Sequence, residues 1–177
     1  MESIGKYRRL KRIFSHPSGR VVVVPLDDSL LAGPTNGLED LVQKAELVAE
    51  AKPNAVIGFP GLARHCWKTL SPTPFILNIS ASTTRTTHTR KTLVGSVDQA
   101  IRMGADAVAV HVNISSRYET EMLHSLGVVS RECDLMGLPL MAIMYPRSEA
   151  VDGADDNYST LKEHSRDEYA SLVAHCA

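Results

Sequence analysis

Two carboxylates, Asp27 and Asp28, close the run at residues 21–28 (Val-Val-Val-Val-Pro-Leu-Asp-Asp). Farther along, His111 and Asn113 lie within and at the end of residues 107–113 (Ala-Val-Ala-Val-His-Val-Asn), and Tyr145 and Arg147 end and follow residues 138–146. These types serve proton transfer and the holding of polar substrates. A carboxylate or a phenol takes or gives a proton, and an imidazole titrates near neutral pH. An asparagine amide orients a hydroxyl and a guanidinium binds an anion. Each residue also has an ordinary alternative. Asp27 can brace a loop or cap a helix, Tyr145 can pack, Asn113 can cap a loop, Arg147 can form a surface ion pair, and His111 can be a hydrogen-bonded core residue. Adjacent strand residues point to opposite faces, which directs Asp28 toward the helices or the loop.

Such residues act together only if something holds them at one edge. Continuous apolar runs ending in polar or turn residues recur at residues 54–60, 74–80, 107–113 and 138–146, the pattern of parallel strands buried on both faces. Helical stretches separate most of them. Leu38, Leu41, Val42, Ala45, Val48 and Ala49 form an apolar stripe at three and four spacing. Ser96 can cap a helix that Gly104 ends, residues 117–136 are helical with Gly127 as a break, and another helix starts at Arg166. Alternating strands and helices predict right-handed βαβ units, with sites at the strands' carboxyl ends. Five strands and about five helices fit an open doubly wound sheet or part of a barrel.

Charged residues make up 22% and hydrophobic ones 44% of the 177 residues, with a net charge of −1. That balance gives no electrostatic footprint for nucleic acid or an anionic membrane. No run reaches membrane-spanning length and residues 1–12 lack a signal-peptide core, so a cytoplasmic protein is expected. Cys66, Cys133 and Cys176 are too scattered for a disulfide framework or a metal cluster, and buried inert thiols are expected. His65, His88, His124, His164 and His175 have no ligand-like spacing and are taken as surface or packing residues. No metal and no cofactor are expected.

Pro25-Leu26-Asp27 with Gly33-Pro34 and Gly37-Leu38, residues 100–108 (Ala-Ile-Arg-Met-Gly-Ala-Asp-Ala-Val), Val110-His111-Val112-Asn113, residues 137–147 (Gly-Leu-Pro-Leu-Met-Ala-Ile-Met-Tyr-Pro-Arg) and Leu172-Val173-Ala174-His175 follow one another in a recognisable order. Taken together, these segments resemble the DhnA-type class I aldolase family, which includes archaeal fructose-bisphosphate aldolases and 2-amino-3,7-dideoxy-D-threo-hept-6-ulosonate synthases. The resemblance runs from about Arg9 to the last residue. It implies a TIM (β/α)8 barrel of which about the first five βα units are present. Residues 1–177 would then be one domain, the amino-terminal portion of the barrel, with a short helical extension over 1–20.

The same resemblance implies a class I aldolase acting on keto-sugar phosphates through a lysine Schiff base, the synthase branch joining its donor to aspartate semialdehyde. It places that lysine on a sixth strand, beyond residue 177. Lys44, Lys52, Lys68, Lys91 and Lys162 match no such motif and are expected to be solvated. Asp27 and Tyr145 match the family's catalytic positions, while His111, Asp28, Asn113 and Arg147 are candidate substrate ligands. Asp28 stands where the family usually has histidine, and Ser148 where glycine commonly follows, ahead of a longer insertion up to Arg166. The polar run over residues 83–90 (Thr-Thr-Arg-Thr-Thr-His-Thr-Arg) can contact an anionic substrate or be a solvated loop. Expected partners are a phosphorylated keto sugar, an aldehyde and further copies of the chain. The alternatives are fructose-bisphosphate aldolase chemistry, a coenzyme A-dependent thiolase of the same family, or a noncatalytic binding subunit.

Overall fold

The computed structural model describes residues 3–28, 30, 33, 37–83 and 88–147. Strands β1 (Val23–Pro25), β2 (Ala55–Gly58), β3 (Phe75–Asn78), β6 (Ala107–Ile114) and β7 (Leu140–Pro146) form one sheet in that order, every neighbouring pair parallel. Each strand is added at the same edge and the order never reverses, unlike a doubly wound sheet with its switch point. Open sheet or barrel is thereby decided: these are five consecutive units of a TIM barrel wall.

The two faces of the wall differ as the two-residue strand period requires. Ala55, Ile57, Ile76, Ala107 and Ala109 meet on the inner face, where alanines leave room for curvature. Val56 faces outward against helices α2 (Leu41–Ala51) and α3 (Pro60–Leu70), through Ala45, Leu62, Cys66 and Leu70. Leu77, Val108 and Val110 face outward against α4 (Val97–Arg102) and α5 (Glu119–Met136). The Asp40 carboxylate accepts from the Val42 and Gln43 amides to start α2, and the Ser96 hydroxyl accepts from Gln99 to start α4. Among the described thiols, Cys66 and Cys133 are free and buried.

Helix α1 (Ile4–Ile13) crosses the opposite end of the sheet, with Ile13 packed on Ala55 and Ala107, the first residues of their strands. Arg12 pairs with buried Asp106 at 2.7 Å, and Asp106 also accepts from the Phe75 amide at 3.1 Å. One carboxylate thus ties α1, the turn before β6 and the start of β3.

Four expectations change. The first strand covers Val23–Pro25 only, and Val22 is 63% exposed, because β1 is an edge of the described sheet and is not buried on both sides. Pro60 opens α3 at its first turn, where a missing N–H costs nothing, and so does not close the preceding strand. Gly127 does not break α5; it sits on the exposed side, where an added Cβ would meet nothing within 4 Å, so its cost stays at ~1 kcal/mol. Finally, the chain after β3 makes an antiparallel pair, β4 (Ser80–Ala81) with β5 (Thr92–Leu93), where only a polar loop was expected. Residues 84–87, the loop from Ser148 and the helix from Arg166 lie outside the described residues.

Replacing Asp106 by alanine leaves the Phe75 amide unsatisfied and frees Arg12. Thermal or urea unfolding should show a loss of about 1–3 kcal/mol, and an unchanged stability would mean that the tie is idle.

Candidate active site

Asp27 follows β1, His111 lies on β6 opposite Ile143, and Tyr145 lies on β7 opposite Asn113. Their alternation puts all three on the inner side of the wall, at the strands' carboxyl ends. There Asp27, Asp28, His111, Tyr145 and Arg147 line one cleft of about 320 Å3, floored by apolar residues including Ile57, Met141 and Ile143. A larger hollow of about 760 Å3 lies outside the wall between α2 and α3. Its carboxylates are already engaged, Asp40 as the α2 cap and Glu39 with the Gly37 amide, so the chemistry sits in the inner cleft.

A line of hydrogen bonds runs along the cleft's rear. The Asn78 amide donates to Asp27 at 2.7 Å, while its carbonyl accepts from the Ser80 amide and hydroxyl. The Ser80 hydroxyl oxygen accepts from the His111 amide at 2.8 Å. Asn113 is fully buried, and its amide donates to the main-chain carbonyls of His88 and Thr89. That fixes its carbonyl as an acceptor, so His111 Nε2 carries the hydrogen of their 2.9 Å contact. The neutral His111 ring is left with Nδ1 as an acceptor. Asn113, expected to orient a substrate hydroxyl, thus orients His111 instead; its polar atoms are engaged and it does not line the cleft.

The expectation of a solvated Lys91 fails. Lys91 is 6% exposed, lines the cleft and donates to the Ser82 hydroxyl at 2.8 Å. His88 is buried too, with Nδ1 at 3.2 Å from the same hydroxyl, and it lines the cleft rather than the surface. The β4–β5 pair causes both changes by folding the polar run back over the end of β6. Asp28, expected to turn away, also reaches the cleft, at its exposed side.

Electrostatics separate these groups. Burial lifts the Asp27 carboxyl above the usual carboxylate range; Asn78's hydrogen bond opposes this, Asp28's charge adds to it and Lys91's charge lowers it. Burial, then the charges of Lys91 and Arg147, push His88 down to about 4. Burial and Lys91 push His111 down to about 3, with Arg147 contributing and the Asn113 bond opposing. The Tyr145 ring stands 5.9 Å from His111 by centroids, and the Arg147 guanidinium lies 4.7 Å from it. The arrangement offers a carboxyl, a phenol and neutral imidazoles around one cleft. Among the described residues no group of histidine, cysteine and carboxylate side chains is placed to hold a metal ion. Among them also no helix is long and apolar enough to cross a membrane.

A family profile described as "DeoC/LacD family aldolase" matches residues 21–177. The 2-amino-4,5-dihydroxy-6-oxo-7-(phosphonooxy)heptanoate synthase of Streptomyces griseus is 36% identical over 152 residues, which cover 84% of this chain and 55% of that protein. The 2-amino-3,7-dideoxy-D-threo-hept-6-ulosonate synthase 1 of Archaeoglobus fulgidus is 38% identical over 146 residues, covering 81% and 55%. The chain therefore spans about half the length of the curated relatives it matches. An archaeal fructose 1,6-bisphosphate aldolase superposes with a TM-score of 0.76 at 23% identity, covering 96% of this chain and 64% of the other, a likeness of fold.

The depressed imidazoles set a sign for pH. The unfolded chain takes up two protons near pH 6.5, while the folded chain takes them only at about 4 and about 3. Stability should therefore fall as pH drops through 6.5, and go on falling until His88 and then His111 titrate. Imidazole NMR should find both rings neutral at pH 6; midpoints near 6.5 would contradict the burial described.

Proposed function

The chain belongs to the DeoC/LacD family of aldolases, and on that premise we propose that it is the amino-terminal part of a class I enzyme that makes carbon–carbon bonds on keto-sugar phosphates. The acceptor in this proposal is an amino-acid aldehyde, aspartate semialdehyde. The observation that carries it is the convergence of Asp27, His111 and Tyr145 on one inner cleft at the carboxyl ends of three strands. Relatives named as synthases of seven-carbon amino keto acids, one of them phosphorylated, support the direction of the reaction.

The chemistry needs an amine, an acid and a base. A lysine amine, which the proposal places after residue 177, adds to the donor ketone and loses water to give an iminium. Loss of a proton from the neighbouring carbon gives an enamine, which attacks the aldehyde carbon. The aldehyde oxygen takes up a proton, and water releases the product by hydrolysing the new iminium. Tyr145, on the open side of the cleft, is assigned the proton delivered to that oxygen. Asp27, its carboxyl lifted by burial, is assigned the holding of donor hydroxyls and the exchange of the carbon-bound proton. His111 Nδ1 accepts from a substrate hydroxyl, and Asp28 and Arg147 bind the substrate at the cleft's sides.

In the full-length enzyme, Tyr145→Phe and Asp27→Asn should each lower kcat by about 100- to 10,000-fold. KM for the keto phosphate should change far less. Steady-state kinetics with dihydroxyacetone phosphate and aspartate semialdehyde test this; wild-type kcat in both variants would remove the proposed roles.

A further inference from the structure

His88 lines the cleft without a task in the reaction, and one of its ring nitrogens is unaccounted for. The side chain is 8% exposed and belongs to the wall of the inner cleft. Its Nδ1 lies 3.2 Å from the Ser82 hydroxyl, while Nε2 has no partner among the described residues. Buried polar atoms are nearly always hydrogen-bonded, so an exception on a cleft wall calls for a ligand. Counting hydrogens assigns the tautomer. An ammonium only donates, so the Ser82 oxygen accepts from Lys91 at 2.8 Å and the serine hydrogen goes to His88 Nδ1. With the ring hydrogen on Nδ1 instead, the Ser82 hydroxyl would have no acceptor among the described residues. Nε2 therefore carries the hydrogen and is a donor.

A second neutral ring on the same cleft has the opposite polarity. His111 Nε2 donates to the Asn113 carbonyl at 2.9 Å, which leaves its Nδ1 as an acceptor. The same Asn113 amide donates at 3.3 Å to the His88 main-chain carbonyl, so one buried side chain seats both histidines. Burial, then the charges of Lys91 and Arg147, push His88 down to about 4, so at neutral pH it contributes a hydrogen bond and no charge. We propose that His88 is a substrate-binding residue of this cleft: its Nε2–H donates to one oxygen of the keto-sugar chain, while His111 Nδ1 accepts from a hydroxyl of the same chain. A neutral donor and a neutral acceptor over an apolar floor of Ile57, Met141 and Ile143 match a polyhydroxylated carbon chain, whose hydroxyls both give and take. The inference rests on the aldolase reading for the ligand and adds the group that holds a further oxygen of it.

The test is binding, so it does not depend on turnover. Glycerol 3-phosphate, which keeps the hydroxyls and has no ketone for a lysine to attack, is titrated into the full-length protein by calorimetry. Propyl phosphate, the same chain without hydroxyls, is the control. His88→Leu should weaken glycerol 3-phosphate about 10-fold and leave propyl phosphate within about twofold. His88→Gln, whose amide still donates, should recover most of the loss. Imidazole nitrogen NMR of the wild type should show His88 protonated on Nε2, with that resonance moved by glycerol 3-phosphate and not by propyl phosphate; this reading needs no variant to fold. The role is overturned by a hydrogen on Nδ1 or by an Nε2 resonance that glycerol 3-phosphate does not move. A folded Leu variant that binds glycerol 3-phosphate as the wild type does, or loses both ligands alike, overturns it too. Should His88 respond as expected while no keto-sugar phosphate forms a borohydride-trapped adduct, the binding role stands and the condensation falls. An adduct that forms while His88 stays silent leaves the condensation standing and removes the role of His88.

Discussion

One buried amide holds the working edge together. Asn78 sits at the end of β3, donates to Asp27 after β1 and accepts from Ser80, whose hydroxyl receives the His111 amide of β6. Three strand ends are thereby locked at hydrogen-bond distance from one another. Buried polar networks are strong when every member is satisfied and costly when one is lost. Removing Asn78 would leave Asp27 buried without the largest of the contacts that offset its desolvation, so the carboxyl's position and its proton affinity both draw on the same bond.

Behind that edge the fold separates mechanical from chemical work. The amino-terminal end of the sheet is closed by α1, through Ile13 and the Arg12–Asp106 pair. The carboxyl end is left concave, with small alanines on the inner face below it. The antiparallel β4–β5 pair adds a second layer over β6, bringing Ser82, His88 and Lys91 to groups that the barrel strands already present. Burial, with the charge of Lys91 on that layer adding to it, keeps both imidazoles neutral, so His111 works as a hydrogen-bond acceptor rather than as a charge.

Much of the wall was legible in the chain. The apolar runs around Ala55, Phe75, Ala107 and Leu140 became strands because their burial is local and continuous. The alternation Val110-His111-Val112 already separates His111 from the outward valines, though which side is inner required the sheet. Lys91 and His88 were not legible. Both sit in a run of threonines, histidine and arginines that composition assigns to solvent, and their burial arises only when Ser80–Ala81 pairs with Thr92–Leu93 and Asn113 captures the carbonyls of His88 and Thr89. The available signal was Asn78-Ile79-Ser80, two polar residues at alternate positions where β3 ends, aimed at the face that carries the chemistry. Asn113 and Asp28 show the converse: a strand-end position is legible, but what a side chain meets there depends on neighbours distant in sequence.

The account stands or falls on Schiff-base chemistry above this cleft. Borohydride reduction of the full-length protein with dihydroxyacetone phosphate, followed by peptide mass spectrometry, tests it most directly. The prediction is one reduced adduct, on a lysine after residue 177, with Lys91 unmodified. An adduct on Lys91, or no modified lysine with any keto-sugar phosphate, would contradict it.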